Sequence, residues 1–419
     1  MRPIKFLIAI SLVLSGYFII TAFKKHPVVP KDAITTVIPE QILVDKEFVK
    51  TYNFQKQELQ NAINTYFEKA ILAGDIVGAG VSIVKGDSIV ISEGYGKRDI
   101  HNKAKVNGKT VFRLGSLSKG FAGILAADLK NEGKFSWDDK ITDYIPEFQL
   151  GNQINTAKVT LSHILSHTAG TPYHSYTNLV EANLPIATIA KHFNEVNPIS
   201  EPGTMYSYQN AMYAIVQEVL YKTTGEQIQT LLNNRFFTPL GMSGVSMDHN
   251  TLLATENIAI PHSRRKNGWR SLALKNKYYN AIAAGGINAS ALDMGKWMRF
   301  LLGHNPEVAK LANIKDAFTP FITLKGKSKY YQRWAGHLTS AYGFGWRIHT
   351  FKENNAETTI LHHGGSVNNF RNEIALYPEA DLGICVLLNS NSKLARTVIP
   401  DLRELIRNAY NTNLETVSL

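Results

Sequence analysis

The sequence predicts an α/β protein of the α+β type: an antiparallel sheet flanked by N- and C-terminal helices and carrying a large, mostly helical insertion. Three observations lead to this. Short β-rich segments cluster near both ends of the 419 residues, and a helical pattern lies outside each cluster. The long stretch between them alternates helical periodicity with Gly and Pro punctuation. Two sets of strands that each need covering, with helices beside them, are most simply satisfied by one sheet built from both ends of the chain.

In chain order, Phe6 to Phe23 form an uncharged run of 18 residues between Arg2/Lys5 and Lys24/Lys25, so residues 1–25 read as a signal peptide or N-terminal membrane anchor. Residues 26–45, containing HPVVPKD, read as an extended linker. The folded domain is expected over 46–412. Leu59, Ile63, Phe67 and Ile71 recur at helical spacing, which predicts a helix over roughly Lys46 to Leu72. AGVSIVKGDSIVISEGYG then reads as a hairpin turning at Lys85-Gly86-Asp87, and the first part of the sheet region spans 46–112. The helical region covers 113–334, with SKGFAGILAADLKNEGK and ALDMGKWMRFLLG as its clearest helices. The sheet region resumes over 335–412. AYGFGWRIHTF, ETTILHHGG, FRNEIALYP and DLGICVLLN read as four β-rich segments, and a helix from about Lys393 to Tyr410 closes the domain.

Composition narrows the function. Apolar residues make up 44% and charged residues 19%, enough for a packed core. Four of the formal +11 charges flank the N-terminal run, leaving +7 for the rest. No Lys/Arg block interleaved with aromatics appears, so no nucleic-acid partner is expected; the charge fits a solvated basic surface with mild attraction to anionic lipid or cell wall. The single cysteine, Cys385, allows neither a disulfide framework nor a cysteine metal site. The 13 histidines show no His-Glu-x-x-His pattern, so no metal and no cofactor is expected.

A Ser-x-x-Lys spacing on a helix puts a hydroxyl and an amine one turn apart on one face, so the amine can reach the nucleophile. Four such pairs occur: Ser82/Lys85, Ser116/Lys119, Ser263/Lys266 and Ser390/Lys393. Ser82 lies in an alternating strand that sends its lysine to the other face, Ser263 in the polar stretch HSRRKNG, and Ser390 where it could cap the last helix. Only Ser116 opens a helix apolar enough to be buried, and a helix N-terminus favours the negative charge that develops on an attacked carbonyl. PGTMYSYQNAMYAIV places Tyr208 and Asn210 at a second helix start, although Tyr-x-Asn recurs at Tyr176 and Tyr278. His363-Gly364-Gly365 follows a β-rich segment, where glycines let a substrate backbone approach a sheet edge and His363 could donate to a substrate carboxylate or carbonyl. Adjacent His362 leaves open which imidazole faces the site.

These three features in this order resemble the serine β-lactamase and penicillin-binding-protein-like family, in its branch of class C β-lactamases, D-Ala-D-Ala carboxypeptidases and family VIII carboxylesterases. FRLGSLSKGFAG, VTLSHILSHTAGTP, PGTMYSYQNAMYAIV, AAGGINASALDMGKWMRFLL, YGFGW and HHGGSVNNFRNEIALYPEADLGICVLLN are all similar to that branch's signature segments. The resemblance implies that Ser116 is acylated, Lys119 hydrogen-bonds it, Tyr208 shuttles the proton and Asn210 contacts a substrate amide. It also implies an oxyanion hole from the backbone N–H groups of Ser116 and Ser366, with either Lys119 or Tyr208 as first base. Where β-lactamases of the branch carry Lys-Thr-Gly this chain has His-Gly-Gly, a pattern closer to the family's peptidases and esterases. Asn369 stands where a glycine is usual before Phe370, and His167, in SHTAG, matches a helix motif of structural character.

The expected activity is therefore that of a serine hydrolase forming an acyl-enzyme on Ser116. Its expected partner is a small-molecule or peptide substrate: a D-amino-acid cell-wall peptide, a β-lactam or a small ester. The expected location is exported, either periplasmic or anchored to the inner membrane facing the periplasm, with membrane contact through the N-terminal segment if it is uncleaved. The competing reading is a membrane-tethered, non-catalytic cell-wall-peptide binding protein that keeps the fold.

Overall fold

The computed structural model describes residues 46–353 and 356–412; the leader and linker expectations fall outside the described residues. Helix α1 (Lys46–Leu72) comes first. Leu59, Ile63 and Phe67 share one stripe at helical spacing, and all three are completely buried. Gly74, in the left-handed region at φ 70°, follows the helix end. The chain then forms the antiparallel hairpin of β1 (Gly78–Lys85) and β2 (Ser88–Gly96), turning at Gly86-Asp87.

The middle of the chain is helical with small strand pairs inserted. Strand β3 (Val111–Arg113) leads into a single 3-10 turn, Gly115–Leu117, and helix α2 (Ser118–Asn131). Helix α3 (Asn210–Ala214) follows a Pro-Gly turn. Beyond it lie β4 (His262–Arg265), β5 (Gly268–Ser271), β6 (Asn288–Ser290) and helix α4 (Ala291–Leu301). Strands β7 (Ile322–Thr323), β8 (His337–Tyr342), β9 (Arg347–Glu353), β10 (Ala356–Val367), β11 (Phe370–Tyr377) and β12 (Leu382–Leu388) precede the last helix, α5 (Val398–Asn411).

The main sheet has eight strands in the order β2-β1-β12-β11-β10-β9-β8-β7, every neighbouring pair antiparallel. Ser82 opposite Cys385 fixes the register that joins the early hairpin to the last strand. Alternation along β1 divides the core. Val81 and Ile83 pack with Phe67, Ile384, Val386, Leu402 and Ile406 beneath the two terminal helices. Val84, Cys385 and Leu387 join Phe121, Trp297 and Met298 on the face covered by α2 and α4.

Four local expectations change. AYGFGWRIHTF is not one strand but the end of β8, a turn, and the start of β9, because Gly345 takes a left-handed φ of 83°. The sheet begins earlier than residue 335, since β7 lies inside the stretch read as helical, as do β4, β5 and β6. Ser263 sits on β4 rather than in a loop. Ser390 caps nothing; it is buried with an unpartnered hydroxyl, while Ser392 Oγ accepts from Leu394 N at 3.1 Å. Among the described residues no helix is long and apolar enough to cross a membrane.

Candidate active site

Ser116 sits on the 3-10 turn that opens α2, half exposed in a cavity of about 490 Å³. The turn is possible there because Gly115 has a left-handed φ of 57°, and a Cβ at that position would lie 2.8–2.9 Å from the backbone of Ser366. Gly365 does the same from the other side, since its Cβ would strike Leu114 O at 2.1 Å. These two glycines let β10 lie directly against the turn that carries Ser116. Asn372, on β11, holds the approach by donating from Nδ2 to Arg113 O at 2.9 Å and Leu114 O at 3.1 Å.

Lys119, one helical turn on, is completely buried, and its Nζ lies 3.4 Å from Ser116 Oγ. The same nitrogen lies 2.8 Å from Asn210 Oδ1 and 2.9 Å from Ala284 O. Burial, and after it the charge of Arg347, drives Lys119 well below the ordinary lysine range. The amine sits 4.7 Å from the centre of the Tyr208 ring. Burial pushes the Tyr208 phenol up to about 12, partly offset by the Ser116 hydroxyl and then by Arg347. Tyr208 therefore stays protonated at neutral pH.

Tyr208 belongs to the extended stretch just before α3, and His167 backs it with ring centres 4.2 Å apart. His167 Nδ1 accepts from Gln209 N at 3.1 Å and His167 O accepts from Ser207 N at 2.8 Å, so this one residue clamps both sides of Tyr208. Asn210 is tied at both ends of its amide: Oδ1 accepts from Lys119, and Nδ2 donates to Tyr278 OH at 3.1 Å. It lines the cavity while orienting the lysine.

The glycine strand divides its residues between two faces. Gly364 and Ser366 line the cavity. His363, expected to reach a substrate carboxylate or carbonyl, does not line it. Its Nδ1 lies 2.8 Å from Gly364 O and its Nε2 3.0 Å from Tyr342 OH, so a neutral ring donates through Nδ1 and accepts through Nε2, leaving nothing for a substrate. Burial, then Arg347 and Lys119, holds His363 well below the usual histidine range. His362 points to the opposite face, where Nε2 lies 2.9 Å from Glu373 Oε2 and Nδ1 3.3 Å from His349 Nε2.

The hairpin from β10 to β11 turns on Asn368-Asn369, both left-handed, at φ 47° and 65°. This is the two-residue turn that asparagine tolerates, and it makes Val367 and Phe370 the first hydrogen-bonded pair. Ladder alternation then makes Ser366 and Arg371 a non-hydrogen-bonded pair, so Ser366 N–H points away from β11. Pairing with β9 stops at His362, which leaves that side of Ser366 open. Ser116, Lys119, Tyr208, Asn210, Gly364, Gly365 and Ser366 are thus brought together, and His363 is turned inward.

The sequence reading overlooked several cavity residues. Arg347 follows Trp346, and Arg371, Lys329, Tyr278, Tyr330 and Tyr331 also line the wall. The available signal was a charged residue inside the β-rich runs GWRIHTF and FRNEIALYP. A cation kept in a strand that is otherwise largely buried needs a reason. Behind them, Glu373 is completely buried, hydrogen-bonded by Tyr330 OH at 2.7 Å and 3.1 Å from Arg371. Among the described residues no group of three or more His, Cys, Asp or Glu could hold a metal ion.

Comparison with known proteins bears on the family and the fold. The family model described as Beta-lactamase matches residues 60–407. Protein flp of Staphylococcus aureus (strain MRSA252) is 23% identical over 353 residues, 83% of this chain and 66% of its own length. Unguisins hydrolase ungD of Aspergillus violaceofuscus is 26% identical over 357 residues, 77% of this chain and 60% of its own length. The chain thus spans about two thirds of these relatives or less. Among solved structures, the octameric penicillin-binding protein homologue from Pyrococcus abyssi has a TM-score of 0.69 at 22% identity, covering 81% of this chain and 76% of that one. EstCE1, a hydrolase with promiscuous acyltransferase activity, has a TM-score of 0.70 at 19% identity, covering 85% and 99%. At these identities both structures speak to the fold alone.

Proposed function

Because the chain belongs to the Beta-lactamase family, we propose that it is a serine hydrolase that forms an acyl-enzyme on Ser116. Its substrates would be D-amino-acid peptides, β-lactams or small esters. The observation that carries this is the surroundings of Lys119 Nζ. A neutral amine has two N–H donors and one lone pair. Asn210 Oδ1 and Ala284 O take the donors, and the lone pair is left for Ser116 Oγ–H. Burial, and after it the charge of Arg347, shifts the amine toward the neutral form.

In the reaction, Ser116 Oγ attacks the acyl carbon while Lys119 takes the hydroxyl proton. The negative charge on the carbonyl oxygen is met by the backbone N–H groups of Ser116 and Ser366, whose strand face lies open toward the cavity. Tyr208, protonated at neutral pH, donates to the leaving nitrogen or oxygen. Lys119, whose Nζ lies 4.7 Å over the Tyr208 ring, holds the proton that Tyr208 must regain before the next step. Water then attacks the ester through the same groups in reverse, releasing Ser116.

The test is parallel incubation with a fluorescent penicillin, a p-nitrophenyl short-chain ester and a D-Ala-D-Ala peptide, with Ser116→Ala as control. A mass adduct on the Ser116 peptide, absent in the control, is the expected result; an adduct elsewhere, or full labelling of Ser116→Ala, overturns it. The run Phe6–Phe23 supports an exported location, periplasmic or anchored to the inner membrane, which cell fractionation would check.

A further inference from the structure

Four adjacent strands carry a row of buried polar side chains that the chemistry above leaves unused. Ser340 of β8 stands opposite His349 of β9 in the strand register, and Gly364 of β10 stands opposite Glu373 of β11. His362, two residues before Gly364, shares its face and lies diagonally between His349 and Glu373. The contacts are continuous. His337 Nε2 lies 2.7 Å from Ser340 Oγ, which lies 2.8 Å from His349 Nδ1. His349 Nε2 lies 3.3 Å from His362 Nδ1, and His362 Nε2 lies 2.9 Å from Glu373 Oε2. Ser340, His349, His362 and Glu373 are all buried.

The two ends of the row differ. Glu373 reaches the Ser116 cavity: Tyr330 OH donates to its Oε2 at 2.7 Å, Arg371 lies 3.1 Å away, and both of these residues line the cavity. Gly364 leaves room for that contact, because a Cβ there would lie 2.9 Å from both Tyr330 OH and Glu373 Oε2. At the other end, His337 is the one ring of the three that solvent reaches, and its Nδ1 has no partner among the described residues.

Two arrangements satisfy every donor and acceptor from Ser340 to Glu373. With Glu373 ionised, each neutral ring donates through Nε2 and accepts through Nδ1, so every N–H and the Ser340 O–H points toward the carboxylate. One added proton reverses them all. It binds His337 Nδ1 while the His337 Nε2 proton passes to Ser340, the Ser340 proton to His349 Nδ1, the His349 Nε2 proton to His362 Nδ1, and the His362 Nε2 proton to Glu373 Oε2. At each link one bond to hydrogen forms and one breaks. The groups facing the row are Arg347 from β9, Arg371 from β11, Cys385 from β12, Tyr330 and Tyr331 from the turn before β8, and Lys327 near His337. Burial, and after it the positive charges nearby, holds His349 and His362 well below the usual histidine range. Burial, opposed by Arg371, raises the Glu373 carboxyl to about 7, so the row takes up its one proton near neutrality and stores it on Glu373.

We propose that His337, Ser340, His349, His362 and Glu373 form a proton path from the outer surface at β8 to the wall of the Ser116 cavity, by which Glu373 exchanges its proton without passing it through the cavity. Arg371 loses its counter-charge when Glu373 is protonated, so the wall becomes more positive as pH falls. The path does not depend on the acylation of Ser116.

The test is the tautomer of His349, read from ring 15N shifts of the full-length chain between pH 5.5 and 8.5. His349 is completely buried, so only its neighbours in the row can change its proton. It is expected to carry Nε2–H at pH 8.5 and Nδ1–H at pH 5.5, with the midpoint of the Glu373 carboxyl 13C shift. A single tautomer throughout overturns the path, as does a midpoint more than about one pH unit from that of Glu373. Ser340→Ala leaves Nδ1 without a partner and is expected to hold His349 as Nε2–H, whereas Ser340→Thr keeps the hydroxyl and the switch. A switch at the parent's midpoint in Ser340→Ala overturns the path. If neither variant folds, the parent titration decides alone. The Arg371 Nε signal is expected to move at the same midpoint, and an unmoved signal overturns the link to the cavity wall.

Discussion

A lysine amine in water keeps its proton to beyond pH 10 and cannot act as a base at neutrality. In the proposed mechanism Lys119 serves as the base because burial, and after it the Arg347 charge, pushes its amine well below the ordinary lysine range. Tyr208 is shifted in the opposite sense, which in that mechanism makes the two neighbours a base and an acid. Tyr208→Phe is expected to slow acylation by an amide or β-lactam by ~10²- to 10⁴-fold. A p-nitrophenyl ester, whose leaving group needs no proton, should suffer far less; equal losses for both substrates would assign Tyr208 to the Ser116 proton instead. Glu373 offers a separate test. Burial raises its carboxyl from 4.5 to about 7, with Arg371 opposing. Between those values the folded chain holds a proton that the unfolded chain has released, so stability falls as pH rises through that window and levels off above it. The effect is on the order of 3 kcal/mol at most. Glu373→Gln, which mimics the protonated acid, is expected to flatten this slope in denaturant melts at pH 5 and pH 7.5. A parallel pair of curves would show that the carboxylate is already ionised in the fold.

The hairpin from β10 to β11 shows how one turn sets chemistry several residues away. Its two left-handed asparagines fix which strand pair is hydrogen-bonded, and the alternation carries that choice to Ser366 N–H. A glycine at position 369 would satisfy the turn at no steric cost, and asparagine does so nearly as well. Asn369→Gly is therefore expected to leave stability within about 0.5 kcal/mol, and Asn369→Ala to lower it by about 1 kcal/mol. Asn369→Ala should also slow the acylation burst, because strain at the turn is relieved by shifting the strand that presents Ser366. A burst unchanged by Asn369→Ala, at a lower melting temperature, would uncouple the turn from the oxyanion site.

For the molecule as a whole, the buried stripe of α1 begins at Leu59, and its partners come from β1, β12 and α5. Removal of residues 1–45 is therefore expected to leave a cooperative melt and full Ser116 labelling, whereas Phe67→Ala should cost about 3–5 kcal/mol through the cavity left under the sheet. Loss of the cooperative melt on truncation would mean that the core draws on earlier residues. The placement of α1, the first hairpin and the late strands was legible from the chain alone, because period and turn chemistry are local properties. So was the proximity of Ser116 and Lys119, the pair favoured among four Ser-x-x-Lys matches, since Lys119 lies one turn away on a helix whose apolar length marks it as buried. The orientation of His363, the clamping of Tyr208 by His167 and the role of Asn210 as a partner of Lys119 were not legible. Nor was the row of hydrogen bonds from His337 to Glu373. Each depends on which side chains from distant segments close around one buried atom. Local sequence fixes the direction in which a side chain leaves its own element, but the number of hydrogen-bond partners waiting there is decided only when the sheet and the helical region pack together.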